Sequence, residues 1–354
     1  MLSKKARIII NIVTIIALAV LLYFSWDDIV RGLDEIGGAD WSILFFMIPL
    51  QLINFYSVGM LYKDYFKATG QDKIPSRWQF LKIALELNFV NHVFPSGGVA
   101  GFSYLGVRLK AMGIPVARTT LAQVMRFALT FISFLTLLFF GLFLLSFDQR
   151  AGGLTLFIAL SIAFLTLFGS AVGVYIISDN KRIKAFTGFL PKLVNAILRP
   201  FSKNKEIINV SKVEKLFGEL HEDYDKISKQ RSKLKKPLIW SLMINITEVA
   251  TIYVAYLALG QTINPGAVIL AYSVASFAGL VSVLPGGIGI YEALMTATLA
   301  SAGVPSALAL SATLIYRIFT IIIFIPIGFI LYQIAIRKGQ AVKVERPKAN
   351  IQSN

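Results

Sequence analysis

The sequence predicts an all-α polytopic membrane protein with about six full spans, built as an inverted-topology repeat around two re-entrant pairs of broken helices. Three observations carry that reading. First, 56% of the 354 residues are hydrophobic, 15% are charged and mean hydropathy is +0.69, a balance foreign to an ordinary soluble domain. Second, Lys and Arg cluster between the apolar runs, where they set orientation. Third, a proline-glycine interruption occurs twice, at Phe94-Pro95-Ser96-Gly97-Gly98 and at Leu284-Pro285-Gly286-Gly287-Ile288-Gly289-Ile290-Tyr291-Glu292. Each is followed, 20 residues after its proline, by a Gly-x-Pro (113–115 and 303–305), and both pairs of prolines stand 190 residues apart, the mark of an internal duplication.

About 20 apolar residues suffice to cross a roughly 30 Å hydrocarbon core. Residues 1–40 hold the first such run, 8–26, behind Lys4, Lys5 and Arg7. No small-residue cleavage site follows it, so it reads as an uncleaved span. The connector after it, with Asp27, Asp28, Asp34, Glu35 and Asp40, belongs outside. The first repeat, 41–147, opens with span 41–62 and returns to Lys63, Lys67, Lys73, Arg77 and Lys82 on the cytoplasmic side. Two short pieces, 78–94 and 98–112, flank Pro95, where the backbone cannot stay helical, and span 117–147 closes the unit. The short pieces read as a re-entrant pair opening from the cytoplasm, although full spans give the same loop parity, so charge alone leaves both readings open.

The connecting unit, 148–236, contains span 154–177 and a segment, 178–236, with 15 Lys and Arg against 7 Asp and Glu. Within it, Ile208, Val213, Leu216, Phe217, Leu220, Tyr224 and Ile227 form an apolar stripe, as in an interfacial amphipathic helix; a solvated helical linker fits equally. The second repeat, 237–336, has span 237–259, a pair 266–284 and 288–302 entering from outside, and span 305–335. A basic tail, 337–354, follows. This order predicts a plasma (inner) membrane protein with both termini cytoplasmic, and opposite orientations for the two repeats.

Several classes are excluded. The net charge of +16 lies in the loops and fits anionic membrane lipids as partners, with no nucleic acid. There is no cysteine, and His92 and His221 lack companions at ligand spacing, so no metal or cofactor is expected. Neither glycine cluster continues into the Lys-Ser/Thr of a phosphate loop, which excludes direct ATP drive. No enzymatic role is expected; Glu86 with His92 is the one weak candidate for a membrane-embedded transferase.

Inverted repeats with broken helices meeting near the midplane are a recurring plan of secondary transporters, because irregular backbone at that depth must line a cavity or be buried. Pro95, Ser96, Gly97, Gly98, Pro285, Gly286, Gly287 and Gly289 are the predicted helix-break and hinge residues. The charges inside apolar runs, Glu86, Arg108, Arg126, Glu248, Glu292 and Arg317, are costly and so mark function or pairing. Arg126 and Arg317 follow Pro115 and Pro305 by 11 and 12 residues, roughly 17 Å into the membrane at about 1.5 Å per residue. They are expected to face a central cavity and hold an anionic headgroup, with Glu292 and Glu248 taking a cationic part or a coupling proton. The alternative is that Glu292 and Arg317 neutralise one another. Asn88, Asn91 and His92 are possible hydrogen-bonding neighbours, as are Tyr104, Tyr291 and Tyr316, with interhelical packing as the plainer reading. Asn245-Ile246-Thr247 matches a glycosylation pattern but falls within a span and is set aside.

Pro95-Ser96-Gly97-Gly98 and the 284–292 motif, with an Arg in the following long span of each half, resemble the lysylphosphatidylglycerol synthase transmembrane-region family, also called flippase-like proteins. The resemblance covers about 8–335. It implies movement of a lipid or lipid-linked headgroup between leaflets, by a transporter of an amphiphile such as a phospholipid, an aminoacylated lipid or a lipid-linked glycan. In the family's namesake a soluble aminoacyl-transferase domain is attached; here only 337–354 follows the last span, so synthase activity is not expected, and a separate lipid-modifying enzyme is a possible partner. A secondary transporter of a small soluble solute is the alternative function.

Overall fold

The computed structural model describes residues 36–94, 99–147, 181–189, 231–281 and 289–338, with isolated positions in 16–34, 153–179, 217–218 and 287. The expected spans 8–26 and 154–177, most of 178–236 and the 337–354 tail therefore lie wholly or largely outside the described residues. The elements used below are all helical. They are α1 (Trp41–Leu44), α2 (Met47–Ala68), α3 (Arg77–Val93), α4 (Val99–Lys110), α5 (Val116–Ser146), α6 (Lys235–Ala258), α7 (Pro265–Val281), α8 (Ile290–Ser301), α9 (Ser306–Ile318) and α10 (Phe324–Arg337). A π-helical segment, Phe319–Ile323, joins α9 to α10.

Four stretches among the described residues are long and apolar enough to cross a membrane: Trp41–Ala68, Arg118–Ser146, Ser232–Ala258 and Ser306–Arg337. The protein is thus a helical membrane protein. Between these stretches lie α3 and α7, each of 17 residues, and α4 and α8, each of 12. At about 1.5 Å per residue α3 and α8 run about 25 and 18 Å, short of a roughly 30 Å core, while α4 begins and α7 ends where the described residues do.

Helix ends follow from local chemistry. Ser76 caps α3: its hydroxyl accepts from the Gln79 N–H (3.3 Å) while the Gln79 side chain accepts from the Ser76 N–H (2.7 Å). Four other ends share one C-terminal device, a left-handed glycine whose N–H reaches back three residues while the next N–H reaches back five. Gly70, Gly113, Gly260 and Gly303 adopt φ of 71°, 90°, 70° and 86°. The bonds are Gln71 to Phe66, Ile114 to Leu109, Gln261 to Tyr256 and Val304 to Leu299, all 2.9–3.0 Å. The glycines fall in two pairs, 70 with 260 and 113 with 303, each at the 190-residue interval seen for the prolines.

The long helices α2 and α6 pack side by side and run antiparallel. Asp40 N–H bonds the Ala258 carbonyl, Gln51 bonds Thr251, Asn54 bonds Thr247, and Asp64 accepts from the Trp240 indole, so numbers rise along one helix as they fall along the other. Beyond this centre the two halves interlock: α5 packs on α7, and α10 packs on α3. Contact at the first crossing is close enough that a Cβ at Gly266 would stand 2.3 Å from the Gly141 carbonyl oxygen. Two apolar clusters result. One joins α2, α3 and α4 to α10 through residues such as Phe66, Phe80, Phe89, Leu105 and Phe324. The other joins α6, α7, α8 and α9 through Tyr256, Leu270, Met295, Leu299 and Ile315.

Candidate functional site

Between the two clusters lies a polar cavity of about 270 Å³, near the lower end of the roughly 300–1,000 Å³ usual for small-molecule sites. Helix α2 contributes Gln51 and Asn54, α3 contributes Asn88, Asn91 and His92, and α5 contributes Arg126 and Thr130. On the other side stand Asn245 and Glu248 of α6, Tyr272 of α7, Tyr316 and Arg317 of α9, and Thr320 of the π-helical segment. The four long stretches and both 17-residue helices therefore reach one space. Arg126 of α5 and Arg317 of α9 line it together.

Their surroundings differ. Arg317 is buried, and its Nε lies 2.5 Å from Glu292 Oε1. The other Glu292 oxygen accepts the Gly289 N–H at 2.7 Å, so a carboxylate sits in the first turn of α8, where the helix N-terminus favours negative charge. Gly289 begins that helix with φ of 81°, and Gly287 has φ of 67°, both in the left-handed region that glycine tolerates. The Arg317 guanidinium also lies 4.9 Å over the Tyr291 ring, which stacks on Tyr316. Mutual neutralisation, one of the two readings left open for Glu292 and Arg317, is the arrangement found.

Arg126 meets no carboxylate among the described residues. It donates to the Tyr62 hydroxyl (3.2 Å) and lies near the Tyr62 and Phe127 rings. Glu248 meets no cation among them. Its Oε2 accepts from Tyr316 (2.8 Å) and Gln51 (3.3 Å), both neutral donors. The cavity thus holds one paired arginine, one arginine facing aromatic groups and one carboxylate held by neutral groups.

Glu86 and Arg108 are placed elsewhere. Two residues from Asn88 on a helix means about 200° of rotation, so Glu86 points away from the cavity. There Arg108 donates to it from Nε (2.8 Å) and Nη2 (3.3 Å), and Tyr104 donates at 2.8 Å. All three are buried. Glu86 and Arg108, expected in the binding set, thus pair with one another between α3 and α4 and are not among the residues lining the cavity. The pairing of Glu86 with His92 is likewise not found, because His92 faces the cavity and its Nδ1 donates to the Asn88 carbonyl at 2.9 Å. Tyr291 supports Arg317 and Tyr316 and is not itself among the lining residues. Pro95, Ser96, Gly97, Gly98, Pro285 and Gly286 lie outside the described residues.

Sequence reasoning missed Gln51, Asn54, Asn245 and Tyr272. Asn54 ties α2 to the Ile244 carbonyl and Thr247 of α6, both at 3.0 Å. Asn245 donates to Ser133 of α5 (2.8 Å) and accepts from Tyr272 of α7 (3.2 Å), which makes it a three-helix tie. Amides inside an apolar run were the available signal, since in a membrane such groups seek one another.

Comparison with known proteins places the chain among membrane proteins. A UPF0104 membrane protein of Methanocaldococcus jannaschii is 23% identical over 336 residues, covering 92% of this chain and 94% of that protein. Another from Pyrococcus horikoshii is 27% identical over 180 residues, 50% of this chain, and the chain spans about half the length of that relative (52%). The sequence pattern of the lysylphosphatidylglycerol synthase transmembrane region matches residues 8–328, and the chain belongs to that family.

Proposed function

We propose that this protein is a lipid flippase: a transporter, not an enzyme, that moves an amphiphile with a charged headgroup between leaflets. The observation that carries this is a polar cavity, lined by all four stretches able to cross a membrane, that receives Arg126 from one repeat and Arg317 from the other. An arginine so placed is expensive unless it meets a partner or a ligand. In this reading the short helices α3–α4 and α7–α8 are re-entrant pairs, the two repeats are inverted, and rocking of one against the other exposes the cavity alternately to each leaflet. Antiparallel α2 and α6 and the paired left-handed glycines support the inversion. The membrane is the plasma membrane, with the basic loops and both termini inside, and anionic lipids are the surrounding partners.

The test is reconstitution of the full chain into liposomes containing lipids with a fluorescent headgroup, followed by quenching of the outer leaflet. Probe movement should exceed that in protein-free vesicles and fall with Arg126→Gln. Movement no faster than in protein-free vesicles would overturn the proposal. Uptake of a soluble solute with no lipid movement would place the protein in a different transporter class.

A further inference from the structure

The charges around the cavity do not cancel one by one. Arg317 is neutralised by Glu292 and Arg108 by Glu86. Arg126 and Glu248 are left, each held by neutral groups among the described residues. A ligand with one charge would serve one of them and leave the other without a counter-charge in a poorly solvated space. A ligand with both charges serves both.

A second feature gives the ligand a direction. Arg126, Thr130, Asn245 and Tyr272 line both the polar cavity and an adjoining cleft of about 150 Å³ between α5 and α7. Phe127, Phe131 and Phe134 give this cleft most of its apolar wall, Ser276 completes it, and Glu248 is not part of it. The order along the path is therefore apolar cleft, then cation, then carboxylate. A phospholipid with an amine in its headgroup has the complementary order: hydrocarbon chain, phosphate, ammonium.

We infer that the site selects a net-neutral, zwitterionic phospholipid, with its phosphate on Arg126, its primary ammonium on Glu248 and a chain in the α5–α7 cleft. The guanidinium offers a fork of donors to phosphate oxygens. Both bonds from Tyr316 and Gln51 fall on Glu248 Oε2, which leaves Oε1 to accept from an ammonium. The inference rests on the lipid-translocation reading above and narrows its substrate.

The experiment uses the full chain in liposomes with chain-labelled lipids whose headgroups are unmodified: phosphatidylethanolamine, phosphatidylglycerol and lysylphosphatidylglycerol. The expected result is movement of the ethanolamine lipid about tenfold faster than phosphatidylglycerol, which lacks the ammonium contact to Glu248, and faster than lysylphosphatidylglycerol, whose additional positive charge meets no second carboxylate. Glu248→Gln leaves the cavity with an excess cation and should shift the preference toward phosphatidylglycerol; Arg126→Gln should shift it toward lysylphosphatidylglycerol. Equal rates for the three lipids in the wild type would overturn the inference while leaving a flippase intact, as would a ratio unmoved by Glu248→Gln. Absence of movement of every lipid would remove the translocation reading itself. Soluble phosphoethanolamine added in excess should slow lipid movement only weakly, because it lacks the chain. If instead it is carried across and no lipid moves, the cleft assignment fails.

Discussion

Arg108 and Arg126 stand on successive helices of the same half, both inside apolar sequence, and the fold treats them in opposite ways. Arg108 is enclosed by Glu86 and backed by Tyr104, all within the α3–α4 limb. Arg126 reaches the cavity, where a tyrosine hydroxyl and two rings receive it. The difference is geometric. A short helical hairpin brings one face of α3 against α4, so a carboxylate and a guanidinium on that face close on each other without help. Arg126 projects from a 31-residue helix toward a space shared by several elements, and no carboxylate among the described residues meets it there. Arg317 lies between these cases: it lines the same cavity, yet Glu292 occupies its Nε. A buried charge is thus a signal of function only once its partner is known.

The comparison breaks most sharply at the closed pair. Glu86→Ala leaves Arg108 without its counter-charge and should cost about 3–5 kcal/mol, read as a lowered unfolding temperature in detergent. The double replacement Glu86→Leu with Arg108→Met should recover most of that loss, because apolar residues of similar volume often replace a buried pair at little cost. A single variant as stable as the parent would show that the limb does not depend on the pair. A smaller effect separates packing from charge. Gly266→Ala places a Cβ against the Gly141 carbonyl oxygen at 2.3 Å and should cost about 1–3 kcal/mol by pushing α5 from α7. Because α5 and α7 also line the cleft, a change in their separation should lower transport more than the stability loss accounts for. Equal melting and equal transport would mean that the crossing can spread freely.

Much of the frame was legible because hydropathy reports length directly. The expected runs 41–62, 117–147, 237–259 and 305–335 each coincide with a stretch able to cross the membrane, and the short pieces around both breaks are helices. Their limits show where composition misleads. Lys63 reads as the end of a span, yet α2 continues to Ala68, because Asp64 accepts from Trp240 and Tyr65 and Phe66 pack in the core. The π-helical segment has no local signature, since Phe319–Ile323 reads as one more apolar stretch. Residue counts gave Arg126 and Arg317 equivalent places in their helices, and both line the cavity. The partners of the buried charges could not be read that way: Tyr316 meets Glu248 from 68 residues away, and Glu86 faces away from Asn88 only by its angle around the helix. Asn245 was legible as a polar residue in a span, but its ties to Ser133 and Tyr272 depend on three helices meeting.

Arg126→Gln gives the smallest change in stability and separates the two kinds of arginine most directly. Glutamine keeps an N–H donor for the Tyr62 hydroxyl while removing a charge that no carboxylate among the described residues balances. Unfolding in detergent should therefore shift by no more than about 0.5 kcal/mol, or move upward, since the fold loses a desolvated cation and no ion pair. Lipid movement should nonetheless fall by about tenfold or more, as expected when a charge-assisted contact to the headgroup is lost. If the variant melts as early as Glu86→Ala, Arg126 belongs with Arg108 as a support of the fold, and the contrast between closed and open charges disappears. If it keeps full stability and full transport, the headgroup is held elsewhere in the cavity, and Arg317 with its Tyr291 and Tyr316 neighbours becomes the cation to replace next.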